Sequence, residues 1–85
     1  MTVPPLRRCE STNVEAYGYD DDMMRLAVVF KSGGFYAYDD VTPEMVEALG
    51  VAKSKGRYLS HYVVTRPAQH RVTDLRKLGI EPVYA

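Results

Sequence analysis

Cysteine residues and long apolar runs are scarce in this 85-residue chain, and each scarcity excludes a class of protein. The one cysteine, Cys9, has no partner within the chain for a disulfide, and no cysteine and histidine residues have the spacing of a zinc site. The longest uninterrupted apolar run is Leu26 to Phe30, far short of the roughly 18 residues of a membrane-spanning helix. Residues 1–10 also lack the apolar core of a signal peptide. We therefore expect a cytoplasmic protein that contacts no membrane.

Recognisable catalytic patterns are also missing. His61 and His70 have no evident nucleophile or carboxylate partner, and Gly50 and Gly56 lack the spacing of a phosphate-binding Walker loop. Asp20 to Asp22 are adjacent rather than spaced as in a calcium loop, which favours a hairpin turn over a metal site. A domain of this length also offers little room for a pocket of roughly a few hundred cubic ångströms. We expect no enzymatic activity, metal, cofactor or small-molecule substrate.

The charges are balanced overall but unevenly distributed. A hydrophobic fraction of 46% and a charged fraction of 26% are typical of one small globular domain. Residues 1–50 carry a net charge of −5, and residues 51–85 carry +5. This asymmetry is compatible with a basic binding face, but oppositely charged halves also attract each other within a compact domain.

Alternating apolar positions predict three β-strands. The first is Asn13 to Tyr19, and the strongest is Met24 to Lys31, which is apolar on both faces as a central strand requires. The third, Phe35 to Tyr38, returns after a glycine-rich turn. With the helices described below, the sequence predicts an α+β fold built on a three-stranded antiparallel meander.

The length of the glycine loop decides which way Tyr36 and Tyr38 point. A three-residue loop over 32–34, with a glycine in the left-handed conformation, places Tyr36 across from Phe30 and Tyr38 across from Val28 on one apolar face. A two-residue loop would turn both tyrosines to the opposite face. We predict the three-residue loop.

Three helices are predicted after the strands. The best defined begins after Thr42, a capping residue, and runs over about 43–52, covering the sheet with an apolar stripe formed by Met45, Ala48, Leu49 and Ala52. Apolar residues at helical spacing predict a second helix over about 57–64 and a third within 67–78. The apolar stripe of the second helix consists of Tyr58, Leu59, Tyr62 and Val63, and that of the third consists of Ala68, Val72 and Leu75. Residues 1–10 have no sustained period and are expected to form a flexible arm.

A longer pattern extends across these elements. It consists, in order, of Ser11, Gly18-Tyr19-Asp20, Leu26-x-Val28-x-Phe30, Gly33, Tyr36-Ala37-Tyr38, Val41-x-Pro43, Leu49, Ala52-x-Ser54-x-Gly56 and Tyr58. With this pattern, residues 11–64 resemble the KTSC domain, a short family named for its occurrence at the C-terminus of some lysyl-tRNA synthetases and also found as free-standing bacterial and phage proteins. The resemblance implies a small α+β domain of unassigned function, for which RNA binding is suspected.

Two parts of the chain depart from that family. Where members commonly carry an aromatic residue and an asparagine, followed by an apolar residue and an arginine, this chain has Leu59, Ser60, Val63 and Val64. Residues 65–85 lie outside the resemblance and are expected to form a C-terminal helical extension and tail.

Two binding functions remain open. One is an RNA or single-stranded nucleic-acid module, in which cations lie beside tyrosine rings; its candidate residues are Lys53, Lys55, Arg57, Arg66, Tyr36 and Tyr38. Those two tyrosines have an alternative role as core residues, because the chain has only two phenylalanines and no tryptophan. The other function is a protein-interaction adaptor or a phage-type inhibitor of a host protein, with an interface formed by Arg71, Arg76, Lys77 and Tyr84.

Overall fold

A computed structural model describes residues 1–85 as one antiparallel sheet with helices on one face. The strands are β1 (Arg7–Arg8), β2 (Val14–Asp20), β3 (Arg25–Phe30), β4 (Phe35–Tyr38) and β5 (Val72–Asp74), in the spatial order β1-β2-β3-β4-β5. The helices are α1 (Pro43–Val51), α2 (Lys55–Leu59) and a π-helix (Ser60–Val64) that continues α2. The α+β class is confirmed. The predicted meander corresponds to β2, β3 and β4, with an additional strand at each edge.

The hairpin between β3 and β4 sets the orientation of the two central tyrosines. The Phe30 N–H donates to the Gly34 carbonyl oxygen at 2.8 Å, so the loop consists of residues 31–33, with Gly33 at a φ of 107° that glycine adopts without strain. Tyr36 consequently lies across from Val28, and Tyr38 across from Leu26, two positions from the predicted pairing. Because side chains alternate with a period of two, this shift leaves both tyrosines on the predicted face.

The first face of the sheet is covered by the helices. As predicted, α1 follows Thr42, whose Oγ1 accepts a hydrogen bond from the Met45 N–H at 3.3 Å. Leu49 is the fully buried residue of this helix, which ends at Val51. The core on this face consists of Val14, Leu26, Val28, Tyr38, Val41, Leu49, Leu59 and Val63. The Tyr19 hydroxyl donates to the Val41 carbonyl oxygen at 2.6 Å and thereby joins β2 to the start of α1.

The second predicted helix is present as α2 and the π-helix. Ser54 caps it, because its Oγ accepts from the Arg57 N–H at 3.3 Å. The Thr65 N–H donates to the Ser60 carbonyl oxygen at 3.3 Å, which is the wider i to i+5 pattern of a π-helix. No helix in the structure combines the length and the apolar character required to cross a membrane.

The third predicted helix, over 67–78, is wrong. Residues 72–74 instead form β5, which pairs with β4 so that Thr73 lies opposite Ala37. Of the predicted apolar stripe, only Leu75 is buried, whereas Ala68 and Val72 are exposed. The strand satisfies backbone groups at the outer edge of β4 that a helix would have left unpaired.

The expectation of a flexible arm over residues 1–10 is also wrong. Leu6 is fully buried; its N–H donates to the Val83 carbonyl oxygen at 2.8 Å, and its own carbonyl oxygen accepts from the Ala85 N–H at 2.7 Å. The segment runs so close to β2 that a Cβ at Gly18 would overlap the Pro5 carbonyl oxygen. One buried leucine in an extended segment has no period, so the sequence pattern did not reveal it.

Together, the two chain ends cover the second face of the sheet. The hydrophobic cluster there consists of Leu6, Ala16, Ala27, Val29, Phe35, Ala37 and Leu75. Both faces are therefore buried, as the doubly apolar sequence of β3 predicts.

Candidate nucleic-acid interface

Tyr58 and Tyr62 form an aromatic pair on the outer side of α2 and the π-helix. Their ring centroids lie 4.8 Å apart, with 38° between the ring planes. The two residues are four positions apart and so lie one above the other, while Leu59 and Val63 point into the core. Tyr62 is 50% exposed, whereas Tyr58 is half-buried and also packs against the core on the first face of the sheet. The pair presents an apolar surface to solvent on which an unpaired base can stack.

Cations surround this pair. A depression of about 330 Å³ beside it contains no acidic residue; its lining is Ala52, Lys53, Ser54, Arg57, Tyr58, His61 and Tyr62. The Arg66 guanidinium lies 6.0 Å from the centroid of the Tyr62 ring, and its Nε donates to the His61 carbonyl oxygen at 3.2 Å. We call the set of Lys53, Arg57, Tyr58, His61, Tyr62 and Arg66 the tyrosine–cation surface.

The Tyr58 hydroxyl is neutral at physiological pH. Burial, together with the nearby Tyr62, raises the pKa of Tyr58 above its ordinary value. A neutral phenol can donate a hydrogen bond to a phosphate oxygen without repelling the phosphate charge. The electrostatics of this surface therefore favour an anionic ligand that also carries flat apolar groups.

The structure brings together three of the six residues predicted from the sequence to bind nucleic acid. Lys53, Arg57 and Arg66 belong to the tyrosine–cation surface. The Lys55 Nζ donates to the Gly50 carbonyl oxygen at 3.2 Å, so this ammonium group stabilises the C-terminal end of α1.

The other two predicted residues, Tyr36 and Tyr38, lie on the first face of the sheet. Tyr38 is only 4% exposed, and burial raises the pKa of Tyr38 to about 12. The Tyr36 ring is half-buried and meets the edge of Phe30 with 6.1 Å between centroids. Tyr38 is thus a core residue, and Tyr36 faces a groove rather than open solvent.

The sequence interpretation missed Tyr58, His61 and Tyr62 as site residues. It assigned both tyrosines to the buried stripe with Leu59 and Val63, whereas Tyr58 is only partly buried against that core and Tyr62 is 50% exposed. The purely aliphatic pair is the better candidate for burial, because a tyrosine hydroxyl needs a polar partner. That preference was the signal available in the sequence.

The candidate protein-interface residues are partly engaged within the chain. The Tyr84 hydroxyl donates to Glu15 Oε2 at 2.6 Å, and this bond, more than burial, raises the pKa of Tyr84. The Arg76 Nε donates to the Gly33 carbonyl oxygen at 2.6 Å. Arg71 and Lys77 are exposed. Two of the four predicted anchors therefore fasten the C-terminal segment to the sheet.

Asp20 is the last residue of β2, and Asp21 and Asp22 begin the turn to β3, so the cluster lies at a hairpin tip as predicted. Asp20 Oδ1 accepts hydrogen bonds from the Asp22 N–H at 3.1 Å and the Met23 N–H at 3.2 Å. The carboxylates lie within 4.8 Å of one another. The hydrogen bonds that Asp20 accepts give this residue a structural role in closing the turn.

Comparison with known proteins finds relatives over most of the chain. An uncharacterised protein of Stutzerimonas stutzeri is 39% identical over 62 residues, which covers 73% of this chain and 84% of the relative. A lysine–tRNA ligase of Nostoc punctiforme is 30% identical over 59 residues, which covers 69% of this chain but 10% of the ligase.

A solved structure and a family model agree with these relatives. The crystal structure of a KTSC domain protein from Yersinia pestis shares the fold with a TM-score of 0.73 at 23% sequence identity, covering 81% of this chain and 93% of that one. The family model of the KTSC domain matches residues 10–66. The chain therefore belongs to the KTSC domain family.

Proposed function

We propose that the protein is a non-enzymatic module that binds single-stranded RNA through the tyrosine–cation surface. The proposal rests on the position of the stacked Tyr58 and Tyr62 rings next to Lys53, Arg57 and Arg66. Stacking on aromatic rings contributes about 1–3 kcal/mol per base with little sequence preference. The cations supply contacts to phosphates, which do not depend on sequence either.

One of the relatives supports RNA as the nucleic acid. A segment similar to this chain occurs in a lysine–tRNA ligase, an enzyme named for a tRNA. Because the net charge of the whole chain is zero, attraction to the polyanion has to arise from the local cluster of cations. We therefore expect modest affinity with a clear dependence on salt.

The experiment is a fluorescence-anisotropy titration with a labelled single-stranded RNA of mixed sequence. With three phosphate contacts, the affinity should fall roughly twentyfold between about 50 and 200 mM salt. Tyr62→Ala should weaken binding about tenfold through the loss of one stacking contact. Lys53→Gln should weaken binding, whereas the matched control Lys77→Gln, in an exposed lysine outside the surface, should not.

No binding at low salt, or equal effects of Lys53→Gln and Lys77→Gln, contradicts the proposal. The alternative, a protein partner recognised through Arg71, Arg76, Lys77 and Tyr84, predicts no RNA binding at either salt concentration.

A further inference from the structure

An apolar groove lies between the π-helix, the end of the sheet and the segment that leads into β5. Its volume is about 410 Å³, although the length of the chain had suggested little room for such a cavity. The apolar part of the lining consists of Phe30, Tyr36, Tyr38, Val64, Pro67 and Val72. The Tyr36 and Tyr38 ring centroids are 6.4 Å apart. The groove is therefore suited to a flat ring that can contact several aromatic side chains at once.

A few polar groups accompany these apolar walls. Ser60 and His70 also line the groove. His70 is buried, and its Nδ1 forms a hydrogen bond with the Asp39 carbonyl oxygen at 3.1 Å, so Nε2 is the nitrogen left for a ligand. A mostly apolar pocket with a few fixed polar groups is the usual composition of a site for a heterocyclic ligand.

A second, polar depression adjoins the groove, and Phe30 and Gly56 line both. Its volume is about 560 Å³, and its remaining lining residues are Thr12, Asn13, Lys31 and Ser32. Lys31 carries the only full charge in the two linings, and no carboxylate lines either of them. The charge and polarity of this depression complement an anionic group attached to the occupant of the groove.

We propose that the two depressions together hold one nucleotide of a single strand, with the base in the aromatic groove and the phosphate beside the Lys31 ammonium. The inference rests on the proposed function, because it names a second contact of the same RNA ligand. Single-stranded RNA is commonly recognised by bases that leave the stack, contact aromatic side chains and form hydrogen bonds through their edges. Val64 and Ser60 belong to the same π-helix as Tyr62, so the groove and the tyrosine–cation surface lie on two sides of one element.

The test is an NMR titration of the full chain with adenosine 5′-monophosphate, adenosine and ribose 5-phosphate. The nucleotide should shift the backbone amides of Ser60, Val64 and His70, and also those of Asn13 and Lys31. Adenosine should shift only the groove amides, with at least threefold weaker affinity, and ribose 5-phosphate should leave the groove amides unchanged. If adenosine binds as tightly as the nucleotide, the assignment of the phosphate to Lys31 is overturned.

Two variants locate the contact. Val64→Trp should fill the groove and weaken nucleotide binding at least tenfold, whereas Val83→Trp, in another exposed valine on the other side of the sheet, should leave it unchanged. Lys31 lies in the exposed hairpin loop, so Lys31→Glu should leave the core intact. This variant should bind adenosine 5′-monophosphate no more tightly than adenosine.

The outcomes separate this inference from the proposed function. If RNA binds in a manner sensitive to Tyr62→Ala but no nucleotide shifts the groove amides, the groove inference fails and the proposed function stands. If the nucleotide shifts the groove amides but Tyr62→Ala has no effect on RNA binding, the groove site stands and the tyrosine–cation surface fails. If the groove binds apolar peptides and not the nucleotide, the proposal that its ligand is a nucleotide is wrong.

Discussion

The two faces of the sheet are covered in different ways. The first face is covered by α1, α2 and the π-helix, all of which lie within residues 10–66, the range of the family match. The second face is covered mainly by residues 1–9 and 67–85, outside that range, which contribute Leu6 and Leu75 to its core. We call these coverings the helical layer and the terminal layer.

The two layers differ in how far apart in the sequence their contacting residues lie. The helical layer follows the sheet as one continuous segment, whereas the terminal layer requires Leu6 to meet Val83 and Ala85 from the opposite end of the chain. Such contacts form only after the intervening chain has closed, which has an entropic cost. The proposed RNA contacts belong mainly to the helical layer. The terminal segments stabilise the sheet and supply Pro67, His70 and Val72 to the groove.

The strongest test of this comparison is a matched pair of core truncations. Leu49→Ala removes a side chain from the helical layer and Leu75→Ala removes one from the terminal layer, at residues that are 1% and 0% exposed. Each should lower the free energy of unfolding by about 2–5 kcal/mol, because each leaves a cavity in a closed core. Urea denaturation followed by circular dichroism measures both values. Leu78→Ala, at an exposed neighbour, should have almost no effect.

Unequal losses in the free energy of unfolding would show that the two layers do not unfold together. If Leu75→Ala costs less than about 1 kcal/mol while Leu49→Ala costs the full amount, the terminal layer opens on its own without unfolding the helical layer. Equal costs with one transition would mean that the two layers form a single cooperative unit.

An alkaline titration compared between the wild-type chain and Tyr38→Phe probes the helical layer, because Tyr84 in the terminal layer also has a raised pKa but is present in both proteins. Burial raises the pKa of Tyr38 to about 12, whereas a tyrosine in an unfolded chain titrates near 10. The folded state therefore favours the neutral phenol. The resulting contribution to the free energy of unfolding is complete below pH 10 and is lost as the pH rises through 12, and it amounts to roughly 3 kcal/mol. Tyr38→Phe should flatten this part of the stability profile, measured as urea midpoints against pH. An unchanged profile in this variant would contradict the assignment to Tyr38.

Local signals predicted the helical layer well. Thr42 and Pro43 fix where α1 begins, and the period of the apolar residues predicts an inward-facing stripe of four residues that includes Leu49, the fully buried one. The face on which Tyr36 and Tyr38 lie was also predictable, because it depends only on whether the loop has an odd or an even number of residues. The β3 residues that lie across from these two tyrosines were not predictable, because the position of the loop depends on which glycine takes the left-handed conformation.

The terminal layer could not be predicted from the same signals. Ala68, Val72 and Leu75 have the i, i+4, i+7 spacing of a helix, and only the open edge of β4 selects a strand. The candidate site shows the same limit. Sequence proximity identified Lys53 and Arg57, but helical spacing fits Tyr58 and Leu59 equally well, and only the aliphatic character of Leu59 favours it as the fully buried residue.

The smallest expected effect belongs to Tyr84→Phe in the terminal layer. The variant loses the hydrogen bond to Glu15 but keeps the ring under Arg8, whose guanidinium lies 4.2 Å from the ring centroid, so the loss should be about 0.5–1.5 kcal/mol. Amide hydrogen exchange should accelerate at Leu6 more than at Leu49. Thr42→Ala, which removes the α1 cap at a cost of about 1 kcal/mol, should give the reverse pattern. Equal acceleration at both amides in either variant would mean that the layers open together and differ only in how they are built.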